Sequence, residues 1–372
     1  MSAATDLVAF RRQFPALERV TYLNTATTPP AARPVLEALR RAEGEWEGGE
    51  FSWQAWEREA HATRRLFAGL VGSEADRVAL MGSVAEAAAT VAASLPPGRV
   101  VVGEREFRSN LLPWVALRDR GFEVVEVEAD DGVVTTERLA SAVEPGAVLV
   151  AVSDVQSSNG FRVRLGEIAS ACRAAGARLF VNVTQSVGAL RFDPAVEADY
   201  VAAHGYKWLL APRGAAWLAV RPDRLDELRP LLPNWHSVEE PYADYYGSAI
   251  PLSSAASRLD TSMAWLPWVG ARAALDLLAR LDAGALERRC LELAAAFRAG
   301  AADRGYGTVR EEAASHIVAV DVPDAGALKR RLAERRVIAA VRGGFLRLGF
   351  HAFNDPSDVE AALDALPPLG RR

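Results

Sequence analysis

The chain has 372 residues, 50% of them hydrophobic and 24% charged, with a formal net charge of −5, so a large core can be buried and no basic footprint for nucleic acid is present. No uncharged apolar run approaches the roughly 20 residues that cross a bilayer, and the start, MSAATD, lacks a basic-then-apolar secretory pattern. The two cysteines, Cys172 and Cys290, have no metal-ligand spacing, so a reduced cytoplasmic protein with no metal, membrane or nucleic-acid partner is expected.

Near the start, the glycine-rich stretch 44–50 (GEWEGGE) predicts a loop. From about residue 77, short valine-rich runs predict strands over 99–103, 122–127, 147–153, 178–182 and 200–203. Helical periodicity between them predicts helices over 85–94, 111–120, 136–142 and 165–175. Strands alternating with helices need crossover connections, so the expected class is α/β, with a mostly parallel sheet covered on both faces. The Pro-, Tyr- and Trp-rich stretch 221–255 predicts a long connection that covers a site. Beyond it, helices are predicted over 264–281, 286–302, 325–333 and 356–366, with strands over 316–320, 337–341 and 345–349. The organisation read from this is an N-terminal segment 1–20 joining the small domain, a large domain 21–255 and a smaller α+β domain 256–372.

Ligands of such sheets lie beyond the carboxyl ends of the strands, and the chemistry-bearing residues fall there. Lys207, in AAHGYKWLLAPRG at 202–214, sits between Tyr206 and Trp208 after an apolar strand. Burying an ammonium is costly unless its pKa falls, and a lysine of lowered pKa is a nucleophile suited to a Schiff base. The bland alternative is a lysine that snorkels from the core edge. Gly82-Ser83-Val84-Ala85 starts a helix whose free N–H groups suit a phosphate, or Ser83 is simply its N-cap. Phe107 offers a ring for stacking or for packing under a loop. Asn182 and Gln185, in VNVTQSVG, can hydrogen-bond a heteroaromatic ring, or Asn182 can form a turn. Arg347, in the apolar run FLRLGF, calls for a carboxylate, from a substrate or from an acidic side chain.

With these residues in view, the chain resembles the class V aminotransferase family, the fold type I enzymes dependent on pyridoxal 5'-phosphate that include cysteine desulfurases, kynureninases and isopenicillin N epimerase-like enzymes. The likeness runs nearly end to end, through Tyr22-Leu23-Asn24-Thr25-Ala26, 152–156, 159–162, VNVTQSVG, GYKWL and 347–355. It implies a large domain with a seven-stranded-type sheet, plus the small C-terminal domain. It further implies that Lys207 forms the Schiff base and moves the proton at Cα, that Phe107 stacks on the pyridine, and that Asn182 meets the ring nitrogen. Val84, Ala85, His204 and Tyr206 would hold the phosphate, with Ser262 reaching it from a second protomer in a homodimer with shared sites. Gln185 would approach the phenolic oxygen, Arg347 the α-carboxylate of an amino-acid substrate, and Asn24 and the 235–246 loop the rest of the substrate.

The chain departs from the family pattern at three positions. Asn182 replaces an Asp that keeps the pyridine protonated, Ala85 replaces a Thr on the phosphate, and Asp154 replaces an Asn near the phenolic oxygen. An amide stabilises a pyridinium poorly, which weakens the electron sink. The stretch 336–344 contains no cysteine for a persulfide relay. The expected activity is therefore Cβ-elimination of the C–S lyase type, followed by epimerisation or racemisation, then aminotransfer. A non-catalytic binding subunit and a cofactor-free lysine enzyme are the other readings.

Overall fold

The computed structural model describes residues 6–249, 251–342 and 344–369. The first five residues of the expected N-terminal segment and the last three of the chain lie outside the described residues.

Seven strands build the central sheet: β1 Val78–Met81, β2 Arg99–Gly103, β3 Glu123–Val127, β4 Ala147–Ser153, β5 Arg178–Asn182, β6 Tyr200–His204 and β7 Ala216–Val220. Their spatial order is β1-β7-β6-β5-β4-β2-β3. All pairings are parallel except those of β7, which runs antiparallel to β1 and β6. Alternate side chains serve opposite faces. Leu80, Val101, Val150, Val181 and Trp217 join one core, while Met81, Val102, Leu149, Phe180 and Leu218 join the other. Because both faces are covered, the strands read as continuous apolar runs, and this is what makes them visible in the sequence.

A three-stranded antiparallel sheet follows, with β8 Ile317–Asp321, β9 Ala340–Arg342 and β10 Phe345–Gly349 in the order β9-β10-β8. It packs around Leu293, Phe297, Val320, Leu346 and Phe350. The strand predicted over 337–341 divides in two, because Val337–Ile338 pairs in parallel with Thr21–Tyr22 while β9 joins β10. At the other end of the chain, Phe10 stacks on His351, Phe14 packs on Phe353, and Arg11 donates to Asp358 at 2.7 Å.

Several expectations need correction. The stretch 44–50 is not wholly a loop: helix Arg33–Glu47 continues through Gly44 and ends at Gly48. Two long helices, Arg33–Glu47 and Trp53–Val71, and the strand β7 were not anticipated. The helix predicted over 111–120 starts earlier, as Arg108–Val115, and tightens into a 3-10 segment at Ala116–Arg120. The helix predicted over 286–302 begins at Ala283, because the Asp282 side chain accepts from the Ala285 N–H.

Candidate active site

β2, β4, β5 and β6 run the same way, so Gly103, Ser153, Asn182 and His204 reach one edge of the sheet. β1 runs parallel to them through the antiparallel β7, which brings the start of helix Val84–Ser94 to the same edge.

After β6 the chain turns sharply. The Ala211 N–H donates to Gly205 O at 3.0 Å, and the Leu210 N–H donates to Lys207 O at 3.1 Å. Leu210 holds φ at 60°, a left-handed conformation that costs a branched residue about 1–2 kcal/mol. This turn buries Lys207 to 6% exposure. The ammonium has no carboxylate partner among the described residues and instead lies 5.5 Å from the Phe107 ring centroid and 5.8 Å from that of Tyr206. Burial lowers its pKa to about 7, assisted by the charge of Arg347. Trp208, next in the chain, donates to Gln185 Oε1 at 2.9 Å and stacks on His351, fixing the turn to the C-terminal strands.

The start of the first site helix is already partly occupied. The Ser83 hydroxyl caps the Glu86 N–H, and the Glu86 carboxylate accepts from the Gly82 N–H at 2.9 Å and from the Ser83 hydroxyl at 3.2 Å. The Val84 N–H donates to His204 Nε2 at 3.2 Å. Burial lowers the His204 pKa to about 3, with Lys207 and Arg213 adding to it, so the neutral ring carries its proton on Nδ1, a buried atom with no partner. The structure thus joins Val84 to His204 where the sequence reading gave each a separate contact. The Ala85 N–H has no acceptor among the described residues. Arg213, which the sequence reading passed over as part of a turn, lies 5.4 Å over the Tyr206 ring.

Asn182 is 9% exposed, and its Oδ1 accepts from the Thr184 N–H at 3.0 Å. That bond orients the amide, so Nδ2 is the end left to face a ligand, as a donor. Gln185 is more constrained than the sequence implied. Its Nε2 donates to Ala26 O at 3.1 Å and Ser157 Oγ at 3.0 Å, while its Oε1 is held by Trp208. With both ends engaged, its carboxamide clamps loops together, and reaching a phenolic oxygen would require breaking one of these bonds. Asp154 turns away, toward Arg162 at 3.4 Å.

Arg347 donates to Ser157 O and, at 2.8 Å, to Thr27 Oγ1. It lines a cavity of about 740 Å³ between the sheet edge and the C-terminal strands, together with Phe107, Ser157, Asn159 and Phe345. Glu106, missed in the sequence, fixes the Phe107 turn. Its carboxylate accepts from the Ser153 N–H and hydroxyl, both at 2.6 Å, and from Asn110 at 3.0 Å. Only its position directly before Phe107 hinted at this. Asn24 leaves a buried, unpartnered Oδ1. Ser262 is exposed, next to Thr261, whose N–H donates to Leu80 O. Both cysteines are buried away from this cavity, and burial pushes the Cys172 thiol up to about 12 and raises that of Cys290 as well.

A second polar cluster joins the 235–246 loop to helix Trp53–Val71. Glu57, His61 and His236 place their ligand-capable atoms within 4.8 Å of one another. Burial lowers both histidines to about 4, so both are neutral near pH 7. The Arg64 guanidinium, a donor only, faces His61 Nδ1 at 3.2 Å and leaves the proton on Nε2, which donates to the Tyr242 hydroxyl at 3.2 Å. Tyr242 in turn donates to Glu57 Oε2 at 3.0 Å, and Trp265 donates to Oε1 at 3.2 Å. A metal on His61 Nε2 would move that proton to face Arg64, so the pattern fits a hydrogen-bonded anchor for the loop.

The aminotransferase class-V family model matches residues 21–361. A probable cysteine desulfurase of Methanothermobacter thermautotrophicus is 30% identical over 295 residues, 76% of this chain and 72% of that protein. The isopenicillin N epimerase of Streptomyces clavuligerus is 30% identical over 381 residues, 94% of this chain and 95% of that protein. Among solved structures, the apo cysteine desulfurase from Thermococcus onnurineus NA1 aligns with a TM-score of 0.84 at 21% identity, covering 98% of this chain and 97% of that one. The cystine C–S lyase in complex with cysteine persulfide aligns with a TM-score of 0.85 at 22% identity, covering 96% and 100%. These structural likenesses establish the fold, an α/β architecture of fold type I.

Proposed function

The chain belongs to the aminotransferase class V family, whose cofactor is pyridoxal 5'-phosphate, and from that premise we propose that it is a lyase that eliminates a leaving group from Cβ of an amino acid, of the C–S lyase type. The residues fit the cofactor: a buried lysine with no carboxylate partner among the described residues, an exposed ring near it, an unpartnered Nδ1–H on His204 and an Ala85 N–H with no acceptor. In this reading Lys207 holds the cofactor and then, as a neutral amine, moves the proton at substrate Cα. Phe107 covers the ring, Val84, Ala85, His204 and Tyr206 surround the phosphate, and Arg347 orients the substrate carboxylate, with Asn24 and Gln185 nearby. Ser262, exposed on this chain, would reach the phosphate of a second protomer.

Bound, the cofactor supplies a sink for the electron pair released at Cα. The observation that carries the choice of reaction is the orientation of Asn182. With Oδ1 held by the Thr184 N–H, the side chain would offer Nδ2–H to the ring nitrogen, a partner for an unprotonated pyridine. A neutral ring is the weaker sink, which favours a reaction in which a leaving group departs at once over one that needs a long-lived carbanion. No cysteine reaches the cavity, so a persulfide relay on the protein is not part of the proposal. A second reading, epimerisation at Cα, draws support from the epimerase relative that matches nearly the full length of this chain. Aminotransfer ranks third.

Loaded protein incubated with cystine or β-chloroalanine tests the order. Elimination releases pyruvate and ammonia over many turnovers. Steady formation of pyridoxamine phosphate with a keto acid would place aminotransfer first. Recovery of the substrate with its Cα hydrogen exchanged and its handedness lost would place epimerisation first.

A further inference from the structure

The cavity that Phe107 shares with Arg347 has two further cations in its lining. Besides Arg347, its lining includes Arg105 and Arg108, on either side of Phe107. Both are exposed, and neither side chain makes a hydrogen bond or an ion pair among the described residues. Arg108 opens helix Arg108–Val115, where the helix dipole disfavours a cation, so helix stability does not account for it. None of the acidic residues of the same wall forms an ion pair with either arginine among the described residues. Glu104 accepts from the Ala129 N–H at 2.8 Å, and Glu106 is held by Ser153 and Asn110. Leu111, Val309 and Phe345 add apolar surface to the same lining.

Cations brought to one cavity from two elements, Arg105 and Arg108 from the start of helix Arg108–Val115 and Arg347 from β10, in a lining that is partly apolar, match a ligand with two anionic ends joined by methylenes. We propose that the cleft selects α-amino acids whose side chain ends in a second carboxylate, which Arg105 and Arg108 hold while Arg347 takes the α-carboxylate. The inference rests on the reading of Lys207 as the residue that holds the cofactor.

The test is a spectral titration of the pyridoxal phosphate-loaded protein. Glutamate and 2-aminoadipate are compared with norvaline and norleucine, their uncharged counterparts. The acidic members are expected to bind about tenfold or more tightly, with the gap narrowing as salt is raised. Arg105→Gln and Arg108→Gln should each close part of the gap, and the double change R105E/R108E should turn the preference toward ornithine and lysine. Equal affinity for acidic and uncharged members, or a preference unmoved by these changes, overturns the inference while leaving its premise intact. A wild-type chain that takes up no cofactor overturns both.

Discussion

Burial of Lys207 carries a pH signature of its own. Its pKa falls from the ordinary 10.5 to about 7, so between those values the unfolded chain holds a proton that the folded, cofactor-free chain does not. The stability of that form therefore rises with pH across this window, and the full penalty is present below pH 7. At about 1.4 kcal/mol per unit, the penalty is on the order of several kcal/mol. In the cofactor-free protein, Lys207→Met is expected to raise the urea midpoint at pH 6, and the gain should fade by pH 10. A gain that is the same at both values would mean that packing, not charge, causes it. Lys207 was legible in the sequence because an ammonium between Tyr206 and Trp208 after an apolar strand is chemically out of place. The bond from the Val84 N–H to His204 was not, since it joins residues 120 positions apart.

At the scale of elements, the site depends on how closely two turns approach. Gly188 ends the VNVTQSVG turn with φ at 97°, and a Cβ there would lie 2.4 Å from the Trp208 carbonyl oxygen. That carbonyl also pairs with His351 Nε2 at 3.0 Å, so it has little room to retreat. Gly188→Ala combines a left-handed conformation with a backbone clash, and the expected loss is about 1–3 kcal/mol or more, together with displacement of Lys207. Chemical denaturation and cofactor uptake would measure the two effects, and an unchanged variant would show that the turn can open. The sequence marked this glycine only as part of a motif. It missed β7 because Ala216–Val220 is a short run without flanking alternation, and it took Gly44 for a loop although helix packing carries the chain through it.

For the whole molecule, the sheet and its edge were legible because parallel strands buried on both faces leave an unmistakable apolar rhythm. What local pattern cannot show is which distant segments close over that edge. Arg347 reaches Thr27 across 320 positions, and His351 meets Trp208 across 143. These contacts fix the C-terminal strands against the sheet edge at which Lys207 lies. The most direct measurement is the visible absorbance of the purified protein supplied with pyridoxal 5'-phosphate. A band that borohydride abolishes, leaving a reduced adduct on Lys207 by mass spectrometry and absent from Lys207→Ala, is the expected result. A protein that stays colourless with added cofactor, or an adduct on another lysine, would contradict the account.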